Sequence, residues 1–261
     1  MYNIHVDKRI YIHCPEMTST NICLENLVKD IEIINDAKII VCCNIGQTKK
    51  IHHIFPENTE FREIHNIEFI FEYATLNEIW IDSNKDDFYC LYIHTKGASK
   101  TNISDVQNSL DWQNYMLHGL VKNWRNCIYH LENGADLVGC IWHWHFKGNF
   151  WWGKSSHLKN MPRPLDMTNN RYDAEYWCCL GFWWNGVKKP NVKNLFYLKE
   201  LKNDDCFTEC QKNEPFYDII IPQDTIFVDK NIKTHGFSGI QTIKEFIDSN
   251  YKCSFKEIHI T

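Results

Sequence analysis

The sequence predicts an α/β protein built on a doubly wound, mostly parallel central sheet. Three observations carry that expectation. The chain opens as strand, loop, helix, strand over residues 9–43. Residues 38–43 (KIIVCC) and 88–93 (FYCLYI) are near-continuous apolar runs, the pattern of parallel strands buried on both faces. A long stretch of helical periodicity at 111–131 follows the second run, as a crossover helix does between parallel strands.

Taken in order, residues 9–13 (RIYIH) form a short β-rich run whose end opens into a Pro/Thr/Ser loop. Residues 21–34 carry apolar side chains at helical spacing, with Asn21 as the candidate N-cap. The run 38–43 is the second strand. Residues 52–68 are mixed and fit no single period. Residues 76–83 read as a helix capped by Thr75, and 88–93 is the clearest strand of the chain. The helix at 111–131 is expected to end at Asn133-Gly134. Residues 135–142 read as a strand, 145–152 as a loop feeding a strand, and 154–160 as a short helix stopped by Pro162 and Pro164. A further helix is expected at about 172–180. Past Pro190 the composition changes: 199–215 is charged, 216–222 and 225–228 read as strands, 239–250 as a helix and 255–260 as a last strand. The expected organisation is one domain over residues 1–195 with an appendage over 196–261 packed on it.

With 261 residues, 44% hydrophobic and 23% charged, the chain has an ordinary globular composition. A net charge of −5 argues against nucleic-acid binding through bulk charge. No apolar run is long enough for a signal peptide or a membrane span, so a cytoplasmic location with no membrane span is expected. The twelve cysteines include no CxxC pair, and reduced, mostly buried thiols follow from that location. No P-loop, dinucleotide fingerprint or HExxH motif occurs, which leaves ATPase, dehydrogenase and metal-hydrolase readings without support.

The candidate chemistry sits at strand ends. In the loop His94-Thr95-Lys96-Gly97, the Lys96 cation and the backbone N–H groups around Gly97 suit a diphosphate, and His94 suits a contact to it. The alternative is a surface lysine beside a structural histidine. His143 and His145 flank Trp144 and, in extended chain, project to one side; they form either a ligand pair or two structural histidines. Asn149 with Trp151 and Trp152 offers an amide and two indoles, the makings of a carbohydrate subsite, with core packing as the alternative. In the run Arg171 to Glu175, a carboxylate is placed to take a proton from a hydroxyl; Glu175 is preferred and Asp173 is its rival. The carboxylate pairs Asp86-Asp87 and Asp204-Asp205 read as solvated surface.

Together, Glu72-x-x-Thr75-Leu76-x-x-x-Trp80, Tyr92-x-His94-Thr95-Lys96-Gly97, Asp111-Trp112, Gly148-Asn149-Phe150-Trp151-Trp152 and Ala174-Glu175-x-Trp177 resemble, in order and spacing, a group of GT-A-like glycosyltransferases of large DNA viruses and bacterial polysaccharide clusters. The resemblance covers about residues 9–184. It implies a Rossmann-like α/β/α sandwich of GT-A type that moves a hexose or deoxyhexose from a nucleoside-diphosphate sugar to a glycan acceptor. On that resemblance the donor nucleotide lies near His13, Asn44 and Thr75, and the diphosphate meets His94, Thr95, Lys96 and Gly97. His145, Asn149, Trp151, Trp152 and Arg171 line the sugar or acceptor side, and Glu175 falls at the catalytic carboxylate. Manganese or magnesium is common in that fold, but the chain has no Asp-x-Asp motif after a strand to hold one. A non-catalytic carbohydrate- or nucleotide-binding module is the alternative reading.

Overall fold

A computed structural model describes residues 6–65, 67–140, 142, 145–167, 171–182, 186–195 and 219–220, with the side chains of 68, 69, 171, 172, 219 and 220 outside that description. Its elements, in chain order, are β1 (Asp7–Cys14), α1 (Thr20–Val28), β2 (Ala37–Asn44), α2 (Thr48–Ile51), β3 (Glu60–Ile64), α3 (Ile67–Ile70), α4 (Tyr73–Ser83) and β4 (Phe88–His94). Then come α5 (Ile103–Leu117), α6 (Trp124–Glu132), β5 (Leu137–Gly139), β6 (Trp151–Lys154), α7 (Ser155–Leu158), α8 (Arg171–Tyr176), β7 (Val192–Asn194) and β8 (Ile219–Ile220).

The strands form one sheet in the order β3-β2-β1-β4-β6-β5-β7-β8. Of the first seven, β6 alone runs against the rest: it pairs antiparallel with both β4 and β5, while β1, β2, β3 and β4 are mutually parallel and β5 is parallel to β7. The two-residue β8 adds an antiparallel edge to β7. This is the expected α/β architecture with a mostly parallel sheet flanked by helices.

Alternation along the strands sends side chains into two helical layers. Ile10, Ile12 and Cys14 of β1, with Ile39, Val41, Leu91, Ile93 and Trp152, join Leu24 and Leu27 of α1 and Met116 and Leu117 of α5 in one core. Tyr11, Ile40, Cys90, Tyr92 and Trp151 point the other way, onto Leu76 and Ile79 of α4, Leu158 of α7 and Ala174 of α8. Polar contacts also fix α4: Arg62 on β3 reaches Glu78 at 2.9 Å and Asp82 at 2.7 Å, and the Tyr11 hydroxyl donates to Asp82 at 2.7 Å.

Several boundaries differ from expectation. The first helix ends at Val28, and residues 31–33 make a separate 3-10 turn. The ambiguous segment 52–68 holds the edge strand β3 and the start of α3, with α2 just before it. Helix α5 begins at Ile103, capped by Asn102, whose side chain accepts from the Ser104 N–H at 3.0 Å. It passes through a π turn at His118–Lys122 before α6, so the expected single helix is three pieces. Thr75 is no cap; α4 starts at Tyr73, and Thr75 lies inside it. Of the elements expected after residue 195, the β8 pair lies within the 216–222 run, while those at 225–228, 239–250 and 255–260 lie outside the described residues, as do Asp204 and Asp205.

The loop after β4 is shaped by contact with α5. Gly97 has φ 89, a left-handed conformation, and a Cβ on it would stand 2.4 Å from the Ser109 Cβ. The glycine at this position thus allows a close approach to a helix of the same chain. Gly97→Ala is expected to destabilise the fold by about 2 kcal/mol or more, part backbone strain and part overlap. Ser109→Gly should recover the steric share, giving a coupling of about 1 kcal/mol in a denaturant double-mutant cycle; strict additivity would contradict the contact.

Candidate functional site

The site begins at the ends of β1 and β4. From β1 the chain winds outward to β2 and β3, then returns to lay β4 on the other side of β1. Such a reversal opens a crevice beyond the carboxyl ends of the two strands, the place where open α/β sheets hold ligands. His13, one residue before the end of β1, and His94, the last of β4, are paired in register across the two strands.

Neither histidine is a ready phosphate donor. His13 is buried, and its Nδ1 lies 2.9 Å from the Thr75 hydroxyl. Burial, assisted by His94, pulls its pKa down to about 3. His94 donates from Nε2 to the Gly148 carbonyl at 2.9 Å; a carbonyl only accepts, so the proton sits on Nε2. Burial also lowers the His94 pKa, against the upward pull of Glu72. Both rings are neutral at pH 7, and the His94 N–H is already used. Thr75 is fully buried under His13. His13, Thr75 and His94 therefore brace the strand ends, a correction to their expected role as direct donor contacts.

The rest of the strand-end loop is held from below. Thr95 donates its N–H to the His13 carbonyl at 3.0 Å, and Gln113 on α5 donates to the Lys96 carbonyl at 2.7 Å. The Lys96 ammonium lies 4.1 Å from the Trp112 ring centroid, and its charge is felt by both His94 and Glu175. Asn44, at the end of β2, accepts from the Glu16 N–H at 2.6 Å. Beside it a cleft of about 170 Å³ is lined by residues that include Glu16, Ser19, Thr20, Gln47 and Lys50. That is less room than a whole small-molecule site of several hundred Å³ requires, and it lies apart from the carboxylates described next.

Two carboxylates lie near His94, at the end of β4. Glu175, on α8, lies 3.5 Å from His145 Nε2, and the His145 ring packs on Tyr176 at 4.5 Å. Burial alone would raise the Glu175 pKa; the contact with His145 and the charge of Lys96 outweigh it and hold the carboxyl below the usual range. Glu175 is thus an anion at neutral pH. Asp173 lies two residues earlier on the same helix, a rotation of roughly 200°, and so leaves the helix in another direction. The second carboxylate, Glu72, is absent from the expected set of site residues. It precedes α4, and its Oε2 accepts from the Tyr92 hydroxyl at 2.8 Å and from the Asn149 amide. Its Oε1 lies 3.9 Å from His94 Nε2. An acidic residue before a helix reads in sequence as a cap, which hid this role; its place beside Thr75-Leu76 in the motif pattern was the one available signal.

The carbohydrate subsite expected from Asn149, Trp151 and Trp152 does not exist as such. Both indoles are fully buried, Trp152 in one helical layer and Trp151 in the other, because successive residues of β6 alternate faces. Their N–H groups go to the Leu120 carbonyl at 2.8 Å and to Asn149 Oδ1 at 2.9 Å. Asn149 is 1% exposed, with Oδ1 engaged by Trp151 and Nδ2 by Glu72, so it supports a carboxylate instead of meeting a sugar. Arg171 lies in α8, but its side chain, like all of His143, is outside the described residues.

Neither a protein-family model nor a curated protein sequence matches the chain.

The buried neutral histidines set an acid limit on stability. Lowered below 6.5 in the folded protein, His13, His94 and His157 bind protons more readily when unfolded. Stability is then full above about pH 6.5 and falls as pH drops towards 3. Urea midpoints measured from pH 8 to pH 4 should begin to fall below about 6.5, and His13→Gln should flatten the decline. Midpoints level from pH 7 to pH 5 would contradict this.

Proposed function

We propose that the protein is a nucleotide-sugar-dependent glycosyltransferase of GT-A type, moving a hexose or deoxyhexose onto a glycan acceptor. The observation that carries the reading is Glu175: a part-buried carboxylate, kept ionised by His145 and Lys96, at the crevice where the strand order reverses. The mostly parallel sheet between two helical layers agrees with the resemblance in the motifs.

In this reading Glu175 takes the proton of the acceptor hydroxyl as its oxygen attacks the anomeric carbon. The bond from that carbon to the diphosphate breaks, and the nucleoside diphosphate leaves with the bonding electrons. Lys96, placed by the loop after β4, supplies positive charge to that leaving group. Asn44 and the neighbouring cleft lie on the nucleotide side, and Glu72 and Glu175 on the sugar side. Among the described residues, no group of three or more His, Cys, Asp or Glu side chains is arranged to hold a metal ion. A divalent ion here would draw most of its ligands from diphosphate and water, and no step above is routed through one.

Among the described residues no helix is long and apolar enough to cross a membrane. The nine cysteines among the described residues are buried free thiols, in keeping with the cytoplasmic location we propose.

The test is Glu175→Gln, with Asp173→Asn beside it. Removing the base should lower transfer by about 10²–10⁴-fold, leave donor affinity within a few-fold of wild type, and be unmatched by Asp173→Asn. Wild-type protein that binds donor yet neither transfers nor hydrolyses it would favour the non-catalytic module.

A further inference from the structure

We infer that Glu72 recognises the hydroxyl groups of the transferred sugar, and that Asn149 and Tyr92 are positioning residues that act through it. The inference rests on the glycosyltransferase reading of the same site and assigns it a sugar-specific contact.

The first argument is what Glu72 does not do. It stands at the N-cap of α4 and makes no side-chain cap bond there. Its carboxylate turns instead to the strand ends, where Oε2 accepts from Tyr92 and Asn149. Both donors are buried, at 0% and 1% exposure, so Oε2 is held in one place. Oε1 makes no hydrogen bond among the described residues. It lies 3.9 Å from His94 Nε2, whose N–H is committed to Gly148. One oxygen is anchored and the other is offered.

The second argument is the backbone cost of the arrangement. Phe71, just before Glu72, has φ 51, and Asn149 has φ 54; both are left-handed without being glycine. Such residues persist where the surrounding structure holds them in place. The Asn149 conformation follows the turn in which its N–H donates to the Phe146 carbonyl at 2.8 Å, with Gly148 at φ 87. Both ends of the Glu72–Asn149 contact are thus reached through left-handed backbone.

The third argument is the class of ligand. A fixed carboxylate oxygen beside a second carboxylate, Glu175, repels a diphosphate and attracts neutral hydroxyl donors. Both carboxylates act electrostatically on the Tyr92 hydroxyl and on His94, so they lie near the same end of β4. With Trp151 and Trp152 closed off in the core, hydrogen bonding to carboxylates is a means of holding a pyranose here. Glu72 therefore reads the sugar and leaves the nucleotide to other groups.

The experiment is calorimetric titration of the full chain with UDP, GDP and dTDP and with UDP-glucose, UDP-galactose, GDP-mannose and dTDP-glucose. For the nucleotide the wild type prefers, Glu72→Gln should weaken the nucleotide sugar at least tenfold and leave the parent diphosphate within twofold. Tyr92→Phe, which deletes one anchoring hydroxyl, should weaken the same ratio severalfold and serves should Glu72→Gln fold poorly. Equal losses for sugar and parent diphosphate, or no loss for either, would overturn the inference while leaving the glycosyltransferase reading in place. Wild-type protein that binds none of these ligands overturns that reading, and the inference with it.

Discussion

The site depends on β1 being flanked on both sides. With β2 on one side and β4 on the other, β1 is buried on both faces, and its last residues have nowhere polar to turn except each other and the helix above. His13 is met there by Thr75 and paired in register with His94. Burying two imidazoles in this way requires that each polar nitrogen facing protein find a partner and that the rings stay neutral. Those demands fix the position of α4 and of the turn at Gly148. Through them they fix both residues that flank Glu72 Oε2. The chemistry at the rim inherits its geometry from a packing problem beneath it.

The same logic separates the two carboxylates. Glu175 is set by α8 and a single histidine contact, an arrangement able to give and take a proton. Glu72 is set by two buried donors on one oxygen, an arrangement that holds an acceptor still. In the proposed function the first carries proton transfer and the second recognition, with Lys96 close enough for its charge to be felt at Glu175.

Much of the fold was legible because continuous apolar runs have few other uses. Residues 38–43 and 88–93 became central strands, and the strand-end loop at 94–97 fell where the sheet reverses. What was missed follows from particular residues. The first two turns of α5 are largely exposed and polar, so no periodic apolar stripe announces them, and the cap at Asn102 is the real signal. Edge strand β3 is half-buried along its length and carries Arg62 inward to α4, which breaks the expected alternation. The Trp151-Trp152 pair was read as a subsite because sequence gives residue types without saying which side of a sheet is covered; here helices cover both. Glu72 escaped because its contact with Asn149 is reached through left-handed backbone at Phe71 and Asn149, a preference that a phenylalanine does not advertise.

In the proposed function, the crevice between the ends of β1 and β4 takes a nucleoside-diphosphate sugar. The most direct measurement is the melting temperature of the wild-type chain against a panel of nucleoside diphosphates and their sugars, each with and without Mn²⁺. Binding to the native state alone stabilises it by about 2.7 kcal/mol at a hundredfold excess over the dissociation constant. The account predicts a clear rise with one nucleotide family, larger for its sugar than for the bare diphosphate. No rise with any of them, metal present or absent, would contradict it.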